Sequence, residues 1–311
     1  MLMPPPGLDS AALRHFIGAH WPDHAQAHEP LIFLPVGKDS WNFRAGELFV
    51  SLRRDLRGHV GNAYRALHDL VARGQIAAIA PLPSCTGSVV ETFGQFPVLV
   101  YPYLVHRSLE GRADAAALRG EVLACLHRVH RAQTEIDLPR ETFSLPFRAS
   151  LLEVLAKASG PSSGPSLHVG PFASAAQRAI AEAIPAIKDL LGQIDDLAAT
   201  CRADKEPFVL THGEPLPANI IETAEKGLRL IDFTELAWGP PERDHFHLAA
   251  RFGWEIGMRP AFRDFYRLKW QLSEIEEYGQ VLLSPHSGSA DDSEMYEELR
   301  RYLPGIGAAV A

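Results

Sequence analysis

Apolar and polar positions alternate with the period of strands over much of the first hundred residues and with the period of helices after that. A stripe around Ser10 to Ala19 predicts a short amphipathic helix. Leu31 to Val36, Trp41 to Ala45 and Leu48 to Leu52 are β-rich runs parted by the turn residues Gly37 to Ser40 and Gly46-Glu47, which predicts an antiparallel meander. A helix is expected over Asp55 to Arg73, then a hairpin of Val89 to Phe93 and Phe96 to Tyr103 across Gly94. From Ala113 the stripe Leu118, Val122, Leu126 and Val129 advances by threes and fours, the spacing of one helix face. Ala158 to Pro171 is rich in Gly, Ser and Pro and reads as a loop, and Ser174 to Cys201 reads as another helix. One β island interrupts the helical part, with runs at Phe208 to Thr211, Asn219 to Glu222 and, after a turn at Glu225 to Gly227, Leu228 to Phe233. The C-terminal third is helical again.

Composition narrows what such a chain can do. A length of 311 residues gives room for one large or two packed domains. With 46% apolar and 22% charged residues the balance is that of an ordinary globular protein. The net charge of -8 excludes broad nucleic-acid binding, which needs a basic face to displace counterions, and suits a cationic small molecule. Cys85, Cys125 and Cys201 are too few and too scattered for a disulfide framework or a zinc knuckle, which fits a reducing cytoplasm. The N-terminus has no basic start followed by an apolar run, and no segment is apolar for the length of a bilayer, so neither a secretory signal nor a membrane partner is expected.

The β island carries the chemistry. It contains His212-Gly-Glu-Pro-Leu-Pro-Ala-Asn219, then Ile231-Asp232-Phe233, then Pro240-Pro-Glu-Arg-Asp244. Phosphoryl transfer asks the protein mainly for positioning: a carboxylate orients the attacking hydroxyl, and oxygen ligands hold magnesium on the phosphates. Glu214 offers the carboxylate, Asn219 an amide oxygen five residues on, and Asp232 a second anionic oxygen at the end of the next strand. The five-residue step from acid to Asn is the spacing of a kinase catalytic loop.

With these motifs in order, the chain resembles the aminoglycoside phosphotransferase family, in particular its spectinomycin-phosphotransferase-like branch. The family's motif begins His-Gly-Asp, ends in Asn and is followed by an Ile-Asp-aromatic motif. The resemblance also takes in Gly37-Lys-Asp-Ser-Trp-Asn-Phe-Arg44 as a nucleotide-covering turn, Ala80-Pro-Leu-Pro83, and Val98 to Leu104 as a hinge for the base, so that it covers most of residues 31 to 250. It implies an α+β, protein-kinase-like bilobal fold: a sheet-rich N-terminal lobe over residues 1-103, a hinge near Tyr101 to His106, and a mainly helical C-terminal lobe over residues 104-311. It further implies ATP or GTP as phosphate donor, Mg2+ held by Asn219 and Asp232, Glu214 in the position of the base, and His212 and Asp244 as supports of the loop. Ser40, Ser51, Arg53, Tyr101, Tyr103 and Leu104 are the implied nucleotide contacts.

Two positions depart from that family. The strand that carries a phosphate-gripping Lys or Arg has Ser51 instead, and no Glu occurs between Glu47 and Glu91 to partner such a cation. Losing both members avoids stranding one buried charge. Arg53 shares a strand face with Ser51, roughly 7 Å further on, and Lys38 and Arg44 are the other candidate cations. Glu214 stands where the family has Asp; it carries an extra methylene, and misplacements of about 1 Å can cost on the order of a hundredfold in rate. Three functional classes follow: an antibiotic-type phosphotransferase for an aminoglycoside or aminocyclitol, a metabolic kinase for an endogenous alcohol or amino sugar, and a nucleotide-binding pseudokinase.

Other patterns are set aside on physical grounds. Gly160-Pro-Ser-Ser-Gly164 matches a nucleophile elbow but lacks the strand before it and the helix after it. His24 and His28, like His127 and His130, have helical metal-pair spacing without an acidic third ligand, so packed or solvent-facing histidines are expected. Glu274, Glu276, Glu277, Asp291, Asp292, Glu294, Glu297 and Glu298 could face a cationic substrate, and a solvated helix face explains them as well.

Overall fold

The computed structural model describes residues 4-5, 7-24, 29-36, 40-54, 61-160, 169-225 and 227-304. Asp9 opens helix α1 (Ser10–His20) by accepting the N–H groups of Ala11 and Ala12 at 2.9 Å each. There follow β1 (Ile32–Leu34), β2 (Ser40–Ala45), β3 (Leu48–Arg53), α2 (Asn62–Ala72), β4 (Glu91–Phe93), β5 (Phe96–Pro102), β6 (His106–Ser108) and α3 (Arg119–Arg131). After these come α4 (Arg148–Ser159), α5 (Ala173–Ala203), β7 (Val209–Thr211), β8 (Ile220–Thr223), β9 (Gly227–Leu230), β10 (Ala237–Gly239), α6 (Glu242–Phe252), α7 (Pro260–Leu282) and α8 (Ala290–Tyr302).

The chain divides into two units, residues 1-140 with 207-255, and residues 141-206 with 256-311. In the first, an antiparallel sheet runs in the order β1-β2-β3-β5-β4. Alternation gives it two unlike faces. Phe43, Ala45, Leu48, Val50, Leu52, Val98 and Val100 turn to one side and pack with Leu13 and Ile17 of α1 and with Trp21 just after it. The other side carries Asn42 opposite Ser51, Ser51 opposite Leu99, Ser40 opposite Arg53 and Phe49 opposite Tyr101. There α2 contributes Tyr64, which packs with Val89, Leu99 and Tyr101.

In the same unit β6-β8-β9 form a second sheet and β7 pairs with β10. The expected hairpin of the β island is β8-β9, with Ile220 opposite Leu230. β9 ends at Leu230, whereas the sequence pattern ran the strand on to Phe233; Asp232 adopts a left-handed backbone with φ 61, which no strand accommodates. β6 and β10 have three residues each and owe their existence to their partners β8 and β7. The expected helix from Asp55 is observed from Asn62, its first part lying outside the described residues.

The second unit is built from α4, α5, α7 and α8. In α5, Ala176, Ile180, Ala183, Ile187, Leu191, Ile194, Ala198 and Cys201 are buried at steps of three and four, the stripe that specifies its inward face. A capping box of Ser289 and Asp292 starts α8. Phe143, at φ 53, sits edge-on to Phe262 and Phe265. No helix among the described residues is long and apolar enough to cross a membrane.

Candidate active site

The strand β7 delivers the chain into the loop that begins at His212, and α6 supplies the group that holds it. Asp244, in the first turn of α6, is fully buried and accepts the His212 N–H at Oδ2 (3.0 Å) and the Gly213 N–H at Oδ1 (2.6 Å). His130 of α3 donates from Nε2 to the same Oδ2 at 2.8 Å. Burial pushes the Asp244 carboxyl up, but His130, His212 and Gly213 outweigh it and leave the pKa at about 2. The charge is therefore permanent near neutrality.

His212 joins two loops. Its ring Nε2 lies 2.9 Å from the Ile231 carbonyl, which can only accept, so Nε2 carries the proton. Nδ1 is then the acceptor for the Glu214 N–H at 3.2 Å. Burial lowers the pKa of this imidazole, consistent with the neutral tautomer. The ring packs against Phe233 with centroids 4.3 Å apart. Glu214 is thus located from two sides, through its own N–H and through the preceding glycine.

Gly213 has φ 97, and a Cβ there would lie 2.5 Å from both Arg243 Nη1 and Glu235 Cβ, so this position excludes any side chain. Arg243 fills that space because it braces the loop: Nη1 donates to Thr211 Oγ1 and to the Glu235 carbonyl, both at 2.9 Å, and Nη2 to Glu235 Oε2 at 3.1 Å. Downstream, Asn219 donates Nδ2–H to the Glu214 carbonyl at 3.0 Å, and its own carbonyl accepts the Ile231 N–H at 3.0 Å. Asp232 is exposed and lies one residue beyond that link. Glu214, Asn219 and Asp232 are therefore drawn into one neighbourhood.

The face of the first sheet that bears Ser51 meets this neighbourhood. Burial holds the Tyr101 phenol well above its ordinary range, with Tyr64 and Asp232 adding to the effect and Arg53 opposing it, which places these four groups within electrostatic reach. Ser51 is buried, as are Ser40 and Asn42, and Ser40 Oγ–H donates to Asn42 Oδ1 at 3.1 Å. Of the three candidate cations, Arg44 is committed elsewhere: Nε donates to the Gly46 carbonyl at 2.7 Å and the guanidinium lies 4.2 Å over the Tyr103 ring. Lys38 lies outside the described residues. Arg53 is on the Ser51 face, opposite Ser40. In the segment expected to be the hinge, Tyr103 N–H donates to the Glu47 carbonyl at 2.6 Å, and His106 Nδ1–H to that of Leu104 at 2.8 Å.

A sequence profile of the phosphotransferase enzyme family (APH) matches residues 44-281. The chain belongs to this family. Protein StrN of Streptomyces griseus is 36% identical over 280 residues, which are 88% of this chain and 86% of that one. Among solved structures, spectinomycin phosphotransferase APH(9)-Ia in complex with ADP and spectinomycin superimposes with a TM-score of 0.75 at 16% identity, over 97% of this chain and 96% of the other. A microcompartment-associated aminopropanol kinase gives 0.61 at 13% identity, over 97% and 100%. The fold is accordingly α+β and protein-kinase-like, and the chain is a phosphotransferase enzyme.

Several residues now read differently from the sequence expectation. His130 contacts the loop's anchor, which its metal-pair spacing with His127 did not suggest; the available signal was its place four residues after buried Leu126, on the inward face of α3. Arg243 was visible only as part of Pro-Pro-Glu-Arg-Asp. Of the C-terminal acids, Asp292 caps α8, Glu297 and Glu298 pair with Arg300 and Arg301, and Glu276 accepts from Ser150. The Gly160–Gly164 pattern and His28 fall largely or wholly outside the described residues.

Proposed function

We propose that this phosphotransferase moves the γ-phosphoryl group of ATP or GTP to a hydroxyl of an aminocyclitol- or aminoglycoside-like molecule. The observation that carries the reading is the His212–Asp244 anchorage: one buried carboxylate fixes two consecutive amides, and the neutral histidine between them ties Glu214 to the segment bearing Asp232. In this reading residues 1-103 cover the nucleotide. Glu214 orients the acceptor hydroxyl and takes its proton as the oxygen forms a bond to the γ-phosphorus, while the bond to the β-phosphate's bridging oxygen breaks and a nucleoside diphosphate leaves. Pro215 and Pro217 stiffen the loop that carries Glu214, and Asp244 pins its start, so the longer carboxylate is presented from a fixed backbone.

The donor set fits magnesium, which takes hard oxygen ligands and keeps several waters. Asn219 spends its Nδ2–H on the Glu214 carbonyl, which leaves Oδ1 as an acceptor, and Asp232 is an exposed carboxylate. These two would hold the ion, whose contribution when bound is to neutralise phosphate charge. Arg53 is directed to the α- and β-phosphates in place of the absent lysine. The likeness to the spectinomycin phosphotransferase favours an aminocyclitol acceptor, in keeping with the net charge of -8.

The decisive experiment measures phosphate transfer from ATP and from GTP to spectinomycin and kanamycin, with Asp232→Ala as control. We expect transfer to at least one acceptor and a loss of about a thousandfold or more in the variant. Unchanged turnover in Asp232→Ala removes the metal assignment, and transfer only to simple amino alcohols replaces the acceptor class.

A further inference from the structure

Asp232 holds its left-handed backbone, φ 61, between supports on either side. Upstream, the Ile231 N–H donates to the Asn219 carbonyl at 3.0 Å. Downstream, the chain folds into a turn in which the Leu236 N–H donates to the Phe233 carbonyl at 3.2 Å; Phe233 and Leu236 are buried and Glu235 is exposed between them. Arg243 of α6 grips this turn by two groups of one residue: Nη1 donates to the Glu235 carbonyl at 2.9 Å and Nη2 to Glu235 Oε2 at 3.1 Å. Nη1 also donates to Thr211 Oγ1 at 2.9 Å, and the Thr211 hydroxyl in turn donates to the Ala237 carbonyl at 2.8 Å. One guanidinium, 11% exposed, thus joins the turn after Asp232 to the end of β7. The turn also rests on the loop that follows β7, since Glu235 Cβ and Arg243 Nη1 both occupy the space a Cβ on Gly213 would need.

We propose that Arg243 is a positioning residue for the Asp232 carboxylate: by clamping the turn at Glu235 it keeps Asp232 in its left-handed conformation and sets where that carboxylate stands relative to Glu214. A residue held in a sparsely populated backbone region persists only where the surrounding structure fixes the chain around it. Phe233, packed on His212, fixes the residue that follows Asp232, and the pairing of Ala237 with Thr211 fixes the start of β10. Glu235 lies between those two points, and the guanidinium ties it to both the strand and the loop. A planar fork suits the task, because its separate N–H groups meet a carbonyl, a hydroxyl and a carboxylate in one arrangement. The ion pair is the weaker arm: Glu235 is 47% exposed, where a pair of charges contributes little. The carbonyl of Glu235 and the fully buried Thr211 hydroxyl carry the clamp. With the clamp released, the turn swings at Glu235 and Asp232 relaxes toward extended backbone, which carries its carboxylate away from Asn219.

The inference rests on Asp232 being a metal ligand, and the test separates the two. Binding of ADP to the full-length protein is measured by titration calorimetry with Mn2+ present and again with EDTA; the ratio of the two affinities reports what the metal site adds, apart from turnover. In Arg243→Gln that ratio should fall by about tenfold, the scale for losing a group that orients a metal ligand, while the metal-free affinity stays within about twofold. Glu235→Gln cuts only the exposed arm of the clamp and should lower the ratio by about two- to fivefold; it is the working variant if Arg243→Gln does not fold. Asp232→Ala is measured alongside and should bring the ratio close to one. A ratio that survives in Arg243→Gln and Glu235→Gln but collapses in Asp232→Ala overturns the clamp and leaves the metal assignment standing. Metal-free binding that weakens as much as the Mn2+ arm also overturns it, because Arg243 would then support the fold at large. A ratio that Asp232→Ala leaves unchanged removes the metal assignment itself, and the clamp's role with it.

Discussion

Asp232 occupies a backbone region that side chains other than Asn and Asp rarely enter, with φ 61. The Ile-Asp-Phe pattern pointed to this residue as a chemical group, and nothing in the pattern showed its conformation. Strain at a residue proposed to hold a metal is understandable, since it aims the carboxylate away from the strand direction that β9 would impose. Separating the backbone from the charge gives a prediction. Asp232→Gly should match or exceed the native stability by up to about 1 kcal/mol, because glycine adopts this conformation freely, and Asp232→Ala should lose about 1 kcal/mol. Both should be inactive. Urea unfolding checks the order of stabilities, and Gly falling below Ala would overturn the assignment of strain to this backbone position. Ser51 shows the converse: its departure from the family was plain in the sequence, but narrowing the groups that could compensate needed the cross-strand register and the stacking of Arg44 on Tyr103.

At the scale of elements, the long periodic stripes were readable and the short pairings were not. α3 and α5 follow from apolar steps of three and four because one face of a helix must be buried along its whole length. β6 and β10, at three residues each, carry no period to detect, and they form because β8 and β7 present unpaired backbone groups. Contacts between helices are equally silent in a single sequence. Gly279 of α7 is an example: a Cβ there would come within 2.6 Å of Val154 Cγ1 on α4. Gly279→Ala should gain about 1 kcal/mol in helix propensity and lose roughly 1 to 3 kcal/mol to overpacking, for a net fall in thermal stability. Val154→Ala in the same chain should relieve the clash, so that the double variant is more stable than the sum of the single effects predicts. Strict additivity would mean that the two helices do not meet at this pair.

At the scale of the whole molecule the chain passes between its two units three times, after residues 140, 206 and 255. In the unit that holds the candidate site, the buried groups His247 and Asp244 agree in sign. Burial lowers the His247 pKa from 6.5 to about 3, so the unfolded chain binds a proton through pH 6.5 that the folded chain refuses until about 3. The stability tied to that histidine is intact above pH 6.5 and is lost as pH falls toward 3, at about 1.4 kcal/mol per pH unit within the window. Asp244 behaves as a depressed carboxylate: its contribution is present above its ordinary pKa of 3.8 and is lost as pH falls through about 2. Thermal melting should therefore decline steadily from pH 7 to pH 4, and His247→Gln should flatten that decline. An equal slope in the variant would assign the acid sensitivity to other groups.

The sequence by itself determined the α+β class and the run of strands followed by helices, and it singled out Glu214, Asn219 and Asp232 as the proposed reacting groups. Local periodicity and motif spacing are properties of short segments, and chemistry of this kind demands certain residue types at certain steps. Tertiary structure decided what holds those groups. The anchorage of His212 and Gly213 on Asp244, the hydrogen bond from His130 and the approach of Tyr101 and Arg53 toward Asp232 join residues 31 to 179 positions apart. Such contacts depend on buried hydrogen bonds and cross-strand register, which exist only once distant segments have packed.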